Sequence, residues 1–319
     1  MPTPNISIII PAFNEEANIE PIFNRISQLL REENYEIIFI DDGGTDNTFI
    51  NIQKLARAHP QVKGVSFSRN FGHQAALKAG LDHAKGNCTI SIDCDLEHPP
   101  EAISKMLAFW REGAEVVISR RENSLKTTPF KRYSSQAFYF LLKLISDVQV
   151  EPGTADFRLL DKKVVQACSA ITENELFWRG IIPWLGFKTK TLWYHQDQRQ
   201  HGESKYTLFK MMKLSLSGIT SFSTRPLYLS LYLGAFFAGS SFIYLLYAVA
   251  VKFFTDDSVS GWASVIASVL LIGGMQLLIL GVMGIYLGKL FMQSKGRPQY
   301  VIRDTLPTGL EKQELKRVG

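Results

Sequence analysis

Two stretches toward the carboxyl end limit what this 319-residue chain can fold into. Residues 226–251 and residues 258–288 contain no Asp, Glu, Lys or Arg. A helix crosses the hydrocarbon layer of a bilayer in about 20 residues, so each run is long enough to span it. Uncharged stretches of that length are uncommon as buried helices of a soluble fold. The sequence therefore predicts two transmembrane helices, at about 227–251 and about 262–288. The short link between them carries Asp256 and Asp257, whereas Arg225 precedes the first run and Lys289, Lys295, Arg297 and Arg303 follow the second. Basic residues favour the cytoplasmic side, which puts residues 1–205 and the tail 291–319 together in the cytoplasm.

Just ahead of the first run, Phe209, Met212, Leu216, Ile219 and Phe222 recur every three or four positions, with Lys210 and Lys213 off that stripe. This is the pattern of a helix lying in the head-group plane, expected over residues 206–224. The net charge of +5 is modest and the 35 Lys and Arg form no dense basic run, so nucleic acid is not an expected partner. Phosphates and lipid head groups are. Cys88, Cys94 and Cys168 form no CxxC pair, which indicates neither a disulfide framework nor a zinc site. The opening "MPTPNISIII" lacks a basic region followed by a long apolar one, so no signal peptide is expected.

The first two hundred residues alternate. Short β-branched runs at 6–13, 36–42, 62–70, 88–95 and 115–121 read as strands, separated by helix-length stretches such as 15–31 and 46–59. Alternation of this kind builds a mostly parallel, Rossmann-like α/β sheet covered by helices on both faces. Ligands of such sheets sit outside the carboxyl ends of the strands. The residues there are Pro11, Phe13, Asn14 and Glu15 after the first strand and Asp41 and Asp42 after the second. Asp93, Asp95 and Glu97 follow the fourth, and Arg120 and Arg121 the fifth.

The turn after the first strand, "PAFNEEAN", holds two acids and no glycine, which argues against a dinucleotide cradle. No GxxxxGK[ST] occurs, which removes the P-loop class. A nucleotide site without a glycine cradle can manage its phosphates with Mg²⁺ or Mn²⁺, which one or two acids hold while the substrate completes the shell. In an extended segment Asp93 and Asp95 would point to one side and share such an ion.

The stretches "IIPAFNEEANI", "FIDDGGTDNT", "SRNFGHQAALKAGLDHAKG" and "SIDCDLEHPPE", in that order, resemble the family 2 glycosyltransferases of the GT-A fold. The resemblance is closest to the polyprenyl-phosphate glycosyltransferases, a group that includes dolichol-phosphate mannose synthase and the bacterial undecaprenyl-phosphate glucosyltransferases of the GtrB type. "TADFRLLDKKVV", "HGESKYTLFKMMKL" and the two terminal runs are similar to that group as well. The resemblance implies an integral protein of the bacterial inner membrane with a cytoplasmic catalytic domain. It implies that Pro11, Phe13, Glu15 and Asp42 cradle the nucleoside. Asp95 and Glu97 would bind the metal, with Asp93 close by, and Asp156 would stand near the reacting centre. Arg120 and Arg132 would meet the acceptor phosphate, while Arg199, Ser204, Lys205 and Tyr206 would close over the donor. Two departures are Glu97, where the family usually has Gln, and Gly44, where it commonly has Ser.

The reaction so implied is inverting transfer of a sugar, with UDP-glucose first among the donors, to undecaprenyl phosphate. A UDP-4-amino-4-deoxy-arabinose derivative, a UDP-N-acetylhexosamine and GDP-mannose stay open. A processive polysaccharide synthase would carry a QxxRW motif and more spans, and the nearest match here is "ELFWRG" at 175–180. A catalytically dead scaffold would tolerate loss of Asp93 and Asp95. Oligomeric state is left open, a homo-oligomer included.

Overall fold

The computed structural model describes residues 4–121, 154–194, 224–254 and 261–307. They fall into two compact units, one holding residues 4–121, 154–194 and 297–307, the other residues 224–254 and 261–296.

The first unit is built on one eight-stranded sheet. Strands β1 (Ile6–Ala12), β2 (Tyr35–Asp41), β3 (Val62–Phe67), β4 (Cys88–Ser91) and β5 (Val116–Arg121) lie where the β-branched runs predict them. Helices α1 (Ile19–Leu29), α2 (Thr48–Ala58), α3 (His73–His83) and α4 (Ala102–Arg111) fill the intervals. Every residue of β1 is buried, as expected of a central strand covered on both faces. Helix α1 turns Ile19, Ile22, Phe23 and Ile26 onto the sheet, a stripe at helical spacing. Helix α3 comes so close to β1 that a Cβ at Gly80 would lie 2.1 Å from the Ile9 side chain.

Three further strands were not read as strands in the sequence: β6 (Thr154–Asp161), β7 (Thr189–Tyr194) and β8 (Ile302–Leu306). Two short helices, α5 (Lys162–Ser169) and α6 (Trp178–Trp184), separate β6 from β7. The order across the sheet is β7-β5-β6-β4-β1-β2-β3-β8. Strand β6 is antiparallel to β4 and β5, β8 is antiparallel to β3, and the other pairs are parallel. The mostly parallel sheet is thus present with two reversed strands. The reversal of β6 brings its first residues, not its last, to the edge where β4 and β5 end. Ser91 pairs with Arg158, and continuing that register by two residues sets Asp156 level with Asp93. Strand β8 closes the other edge. There Tyr300 stacks on Phe67 at 5.1 Å and donates to Asp82, and Arg303 donates to the Ser68 carbonyl.

The second unit consists of α7 (Arg225–Phe254, 30 residues) and α8 (Trp262–Ser294, 33 residues), one on each uncharged run. Among the described residues one segment, Leu271–Ser294, is long and apolar enough to cross a membrane, and none of it is buried. Ser230–Tyr244 is a shorter apolar stretch. By this criterion one crossing is supported where the sequence leads to two. The expected interface helix at 206–224 lies outside the described residues.

Candidate active site

The carboxyl ends of β1 and β2 carry two loops that are bonded to each other. The Glu15 amide donates to Thr48 Oγ1 at 2.8 Å, the Glu16 amide to Asp46 at 3.1 Å, and the Thr45 amide to Asn14 Oδ1 at 2.8 Å. Asn14 is held at φ 55, a conformation an asparagine tolerates. Pro11 lies beyond the last β1 residue paired with β4, Ile9, where its missing N–H breaks no ladder bond to that strand. Phe13 stands 46% exposed at the mouth, while the Glu15 carboxylate accepts from Asn18 Nδ2 at 2.6 Å.

Asp41 and Asp42 are both buried and both engaged. Asp41 accepts from the Gly44 amide and from Ser66 Oγ. Asp42 accepts from the amides of Phe71 at 2.7 Å and Gly72 at 2.9 Å, fixing the turn that leads into α3. Burial raises the Asp42 carboxyl, and these two amides do not fully offset it. Asp42, for which the resemblance implies a nucleoside contact, braces the next loop.

At β4 the strand stops at Ser91, two residues before the first acid, and 94–95 form a turn. The expectation that Asp93 and Asp95 face one way as alternate residues of an extended segment is corrected accordingly: period-2 alternation ends where the strand does. Asp93 turns onto His98, whose Nε2 lies 3.0 Å from Oδ2, and onto His73, 3.6 Å from Oδ1. Burial would raise the Asp93 carboxyl, but His98 and His73 hold it below the usual range. Asp95 accepts from the Glu97 amide at 3.1 Å. Between them Leu96, buried, sits at φ 60, strained backbone for a leucine. Glu97 and His98 are buried behind it.

The reversed β6 delivers Asp156 to the same place. Its Oδ1 accepts from Arg158 Nη2 at 2.6 Å and from Arg179 Nε at 3.3 Å, and its Oδ2 from Arg179 Nη2 at 2.9 Å. His73 stands 3.6 Å from Asp156 as well as from Asp93, bridging the two acids. Burial would raise Asp156, yet His73, Arg158 and Arg179 hold it well below the ordinary carboxylate range. Burial would lower His73, yet its bond to Asp156 and the charges of both acids raise it. Arg158 is fully enclosed and also donates to the carbonyls of Ala155 and Trp178. Trp178 donates twice to Gln74, tying α6 to α3. Arg120 lies on β5 opposite Trp193, its guanidinium 5.2 Å over that ring. Arg132, Arg199, Ser204, Lys205 and Tyr206 lie outside the described residues.

The sequence points to the acids but offers no signal for His73, His98, Trp178, Arg158, Arg179 or Tyr194, whose partners lie for the most part far away in the chain. Among the described residues no three His, Cys, Asp or Glu side chains gather into a metal cage. Asp95 and Glu97 offer hard carboxylate oxygens, which fit a divalent cation that takes its other ligands from a diphosphate and water.

A mostly parallel sheet with acids, not glycines, at its ligand edge is the arrangement of a GT-A glycosyltransferase. The chain belongs to glycosyl transferase family 2, whose model matches residues 7–168, from β1 to α5. It is 41% identical, over 98% of its length and 96% of the other chain, to an uncharacterized glycosyltransferase, YkcC, of Bacillus subtilis (strain 168). It is 38% identical to the bactoprenol glucosyl transferase of Shigella phage SfV, over 94% of this chain and 98% of that one. Among solved structures, glucosyl-3-phosphoglycerate synthase from Mycobacterium tuberculosis is similar with a TM-score of 0.49 and 21% identity, over 68% of this chain and 78% of that one.

Proposed function

We propose that this glycosyltransferase transfers glucose from UDP-glucose to undecaprenyl phosphate and inverts the anomeric centre. The observation that carries the reading is the 38% identity, along 94% of the chain, with a protein named bactoprenol glucosyl transferase. On this reading Phe13 and Glu15, beside Pro11, receive the nucleoside at the mouth of β1, with the turn held by Asp42 as a wall. Asp95 and Glu97 hold Mg²⁺ or Mn²⁺, and Asp93 lies beside the donor. A cation so bound would neutralise charge on the departing diphosphate. The phosphate-binding roles of Arg120, Arg132, Arg199, Ser204, Lys205 and Tyr206 belong to the same proposal.

An oxygen of the lipid phosphate attacks the anomeric carbon as the bond to UDP breaks, and the bonding pair leaves with UDP. With a second pKa near ~6, a phosphate monoester is already largely dianionic at neutral pH, so no strong base is needed to make it a nucleophile. Asp156 suits that requirement poorly in any case. A carboxylate held well below its ordinary range by His73 and two guanidiniums is a weak base, and its geometry supports a role in orienting Arg179.

The acceptor's isoprenoid chain lies in the bilayer, so the catalytic unit, residues 1–205, has to be held at the head-group plane. The proposed device is the amphipathic segment 206–224 followed by two crossings within residues 225–290, with the tail 291–319 back on the cytoplasmic side. The 30 and 33 residues of α7 and α8 support this, as each exceeds the about 20 a crossing needs. Holding donor and lipid phosphate at one plane replaces a rare encounter with an oriented one.

The test incubates detergent-solubilised protein and undecaprenyl phosphate with Mn²⁺ or Mg²⁺ and a panel of radiolabelled UDP-glucose, UDP-N-acetylhexosamines, UDP-4-amino-4-deoxy-arabinose derivatives and GDP-mannose. Chloroform-extractable label is expected from UDP-glucose, β-linked by NMR and abolished by chelator or by Asp95→Ala. Label from another donor alone, or full turnover in chelator, overturns the reading.

A further inference from the structure

We propose that His98 is a positioning residue that aims the Asp93 carboxylate at the donor, and that Tyr194 holds the imidazole in that orientation through its other nitrogen. This rests on the reading that Asp93 faces the donor. His98 is fully buried, five residues beyond Asp93 on the same loop, and both of its ring nitrogens are engaged. Nε2 lies 3.0 Å from Asp93 Oδ2, and Nδ1 lies 2.8 Å from the hydroxyl of Tyr194. A carboxylate can only accept, so Nε2 carries a hydrogen and donates it to Asp93. In the neutral imidazole Nδ1 is then the acceptor, and the Tyr194 hydroxyl donates to it. The ring has little room to turn: Phe157 stands tilted against it at 5.3 Å and Tyr194 edge-on at 5.5 Å.

The loop needs such bracing. Leu96, held at φ 60 between the two acids that flank it, is strained backbone that the surroundings have to maintain. The brace comes from far away in the chain, since Tyr194 ends β7 and lies 96 residues beyond His98. Strands β5 and β6 separate β7 from β4 in the sheet, and the imidazole bridges that gap across Phe157 of β6. With Oδ2 pinned from behind, Asp93 Oδ1 is the oxygen turned to His73 and the partly open side of the cluster.

Two substitutions separate positioning from packing. His98→Gln places an amide N–H near the site of Nε2 and gives up the contact with Tyr194. His98→Asn places its polar atoms near Nδ1 and gives up the bond to Asp93. Initial rates are measured on the full-length protein with whichever donor of the panel the wild type uses, so failure of the glucose reading shows in the wild type alone. His98→Gln is expected to keep kcat/KM for the donor within about three-fold, and His98→Asn to lose about 10–100-fold, the usual cost of removing the partner that orients a ligand-binding group. KM for undecaprenyl phosphate should stay unchanged in both. Equal losses, a greater loss for Gln, or a loss confined to the lipid KM overturns the proposal. Should both variants fail to fold, Tyr194→Phe, which removes one oxygen and keeps the ring, carries the test: lowered donor kcat/KM supports the proposal and an unchanged value overturns it.

Discussion

Asp156 is where the balance of charge at this site is decided. His73 stands 3.6 Å from it, Arg158 is enclosed beside it and Arg179 reaches it as well, and together they hold its carboxyl well below the ordinary range. A carboxylate of this kind contributes stability that is fully present above its unfolded pKa, near ~3.9, and is lost as pH falls toward the lower folded value. Asp156→Asn should therefore flatten the acid limb of stability below about pH 4 in denaturant melts. At neutral pH it should cost on the order of 3–5 kcal/mol, because Arg158 would be left buried without that counter-charge. A variant as stable as the wild type at neutral pH would contradict this account. Asp93, Asp95 and Glu97 were legible in the sequence because they crowd the end of an apolar run, whereas Asp156 came only with the family resemblance. Their partners were not. His73 meets Asp93 and Asp156 from the start of α3, and His98 meets Tyr194 from 96 residues away, so no local spacing announces either contact.

At the scale of elements, β1 to β5 were legible because each is a short run carrying β-branched residues, between stretches of ordinary helix length. Strand β6 was hidden by its composition, since "TADFRLLD" contains two aspartates and an arginine, and Arg158 is buried only because Asp156 is beside it. Its reversed direction, which carries Asp156 to the active edge, depends on pairing with β4 and β5 that no periodicity encodes. Strand β8 was hidden by distance, arriving after both long helices to pair with β3. It covers what would otherwise be an open edge of the sheet, a template for association with other chains. Ending the chain after Gly296 removes β8 together with the contacts of Tyr300 and Arg303. The expected outcome is a melting temperature lower by roughly 5–10 °C, for a loss of about 2–3 kcal/mol in a domain of this size, with earlier aggregation in light scattering. An unchanged melt would mean that β8 adds nothing to the sheet.

For the whole molecule, the proposed chemistry requires both outer flanks of the helical unit on one side of the membrane, which holds for two crossings and fails for one. The native thiols make a direct test possible. Cys88, Cys94 and Cys168 are all free and buried, and burial pushes the thiols of Cys88 and Cys168 up to about 12, so the folded chain should resist alkylation at neutral pH. A single added cysteine then reports its own side. Thr255→Cys, in the link between the two runs, should react with a membrane-impermeant maleimide in intact cells. Ser294→Cys, the last residue of α8, should react only after permeabilisation. If Thr255→Cys also needs permeabilisation, α7 does not cross. A single crossing by α8 from a cytoplasmic link would then leave the catalytic unit divided, because β8 would emerge on the far side from β3, with which it pairs. The pairing of a strand from the end of the chain with one near its beginning is thus itself an argument for an even number of crossings.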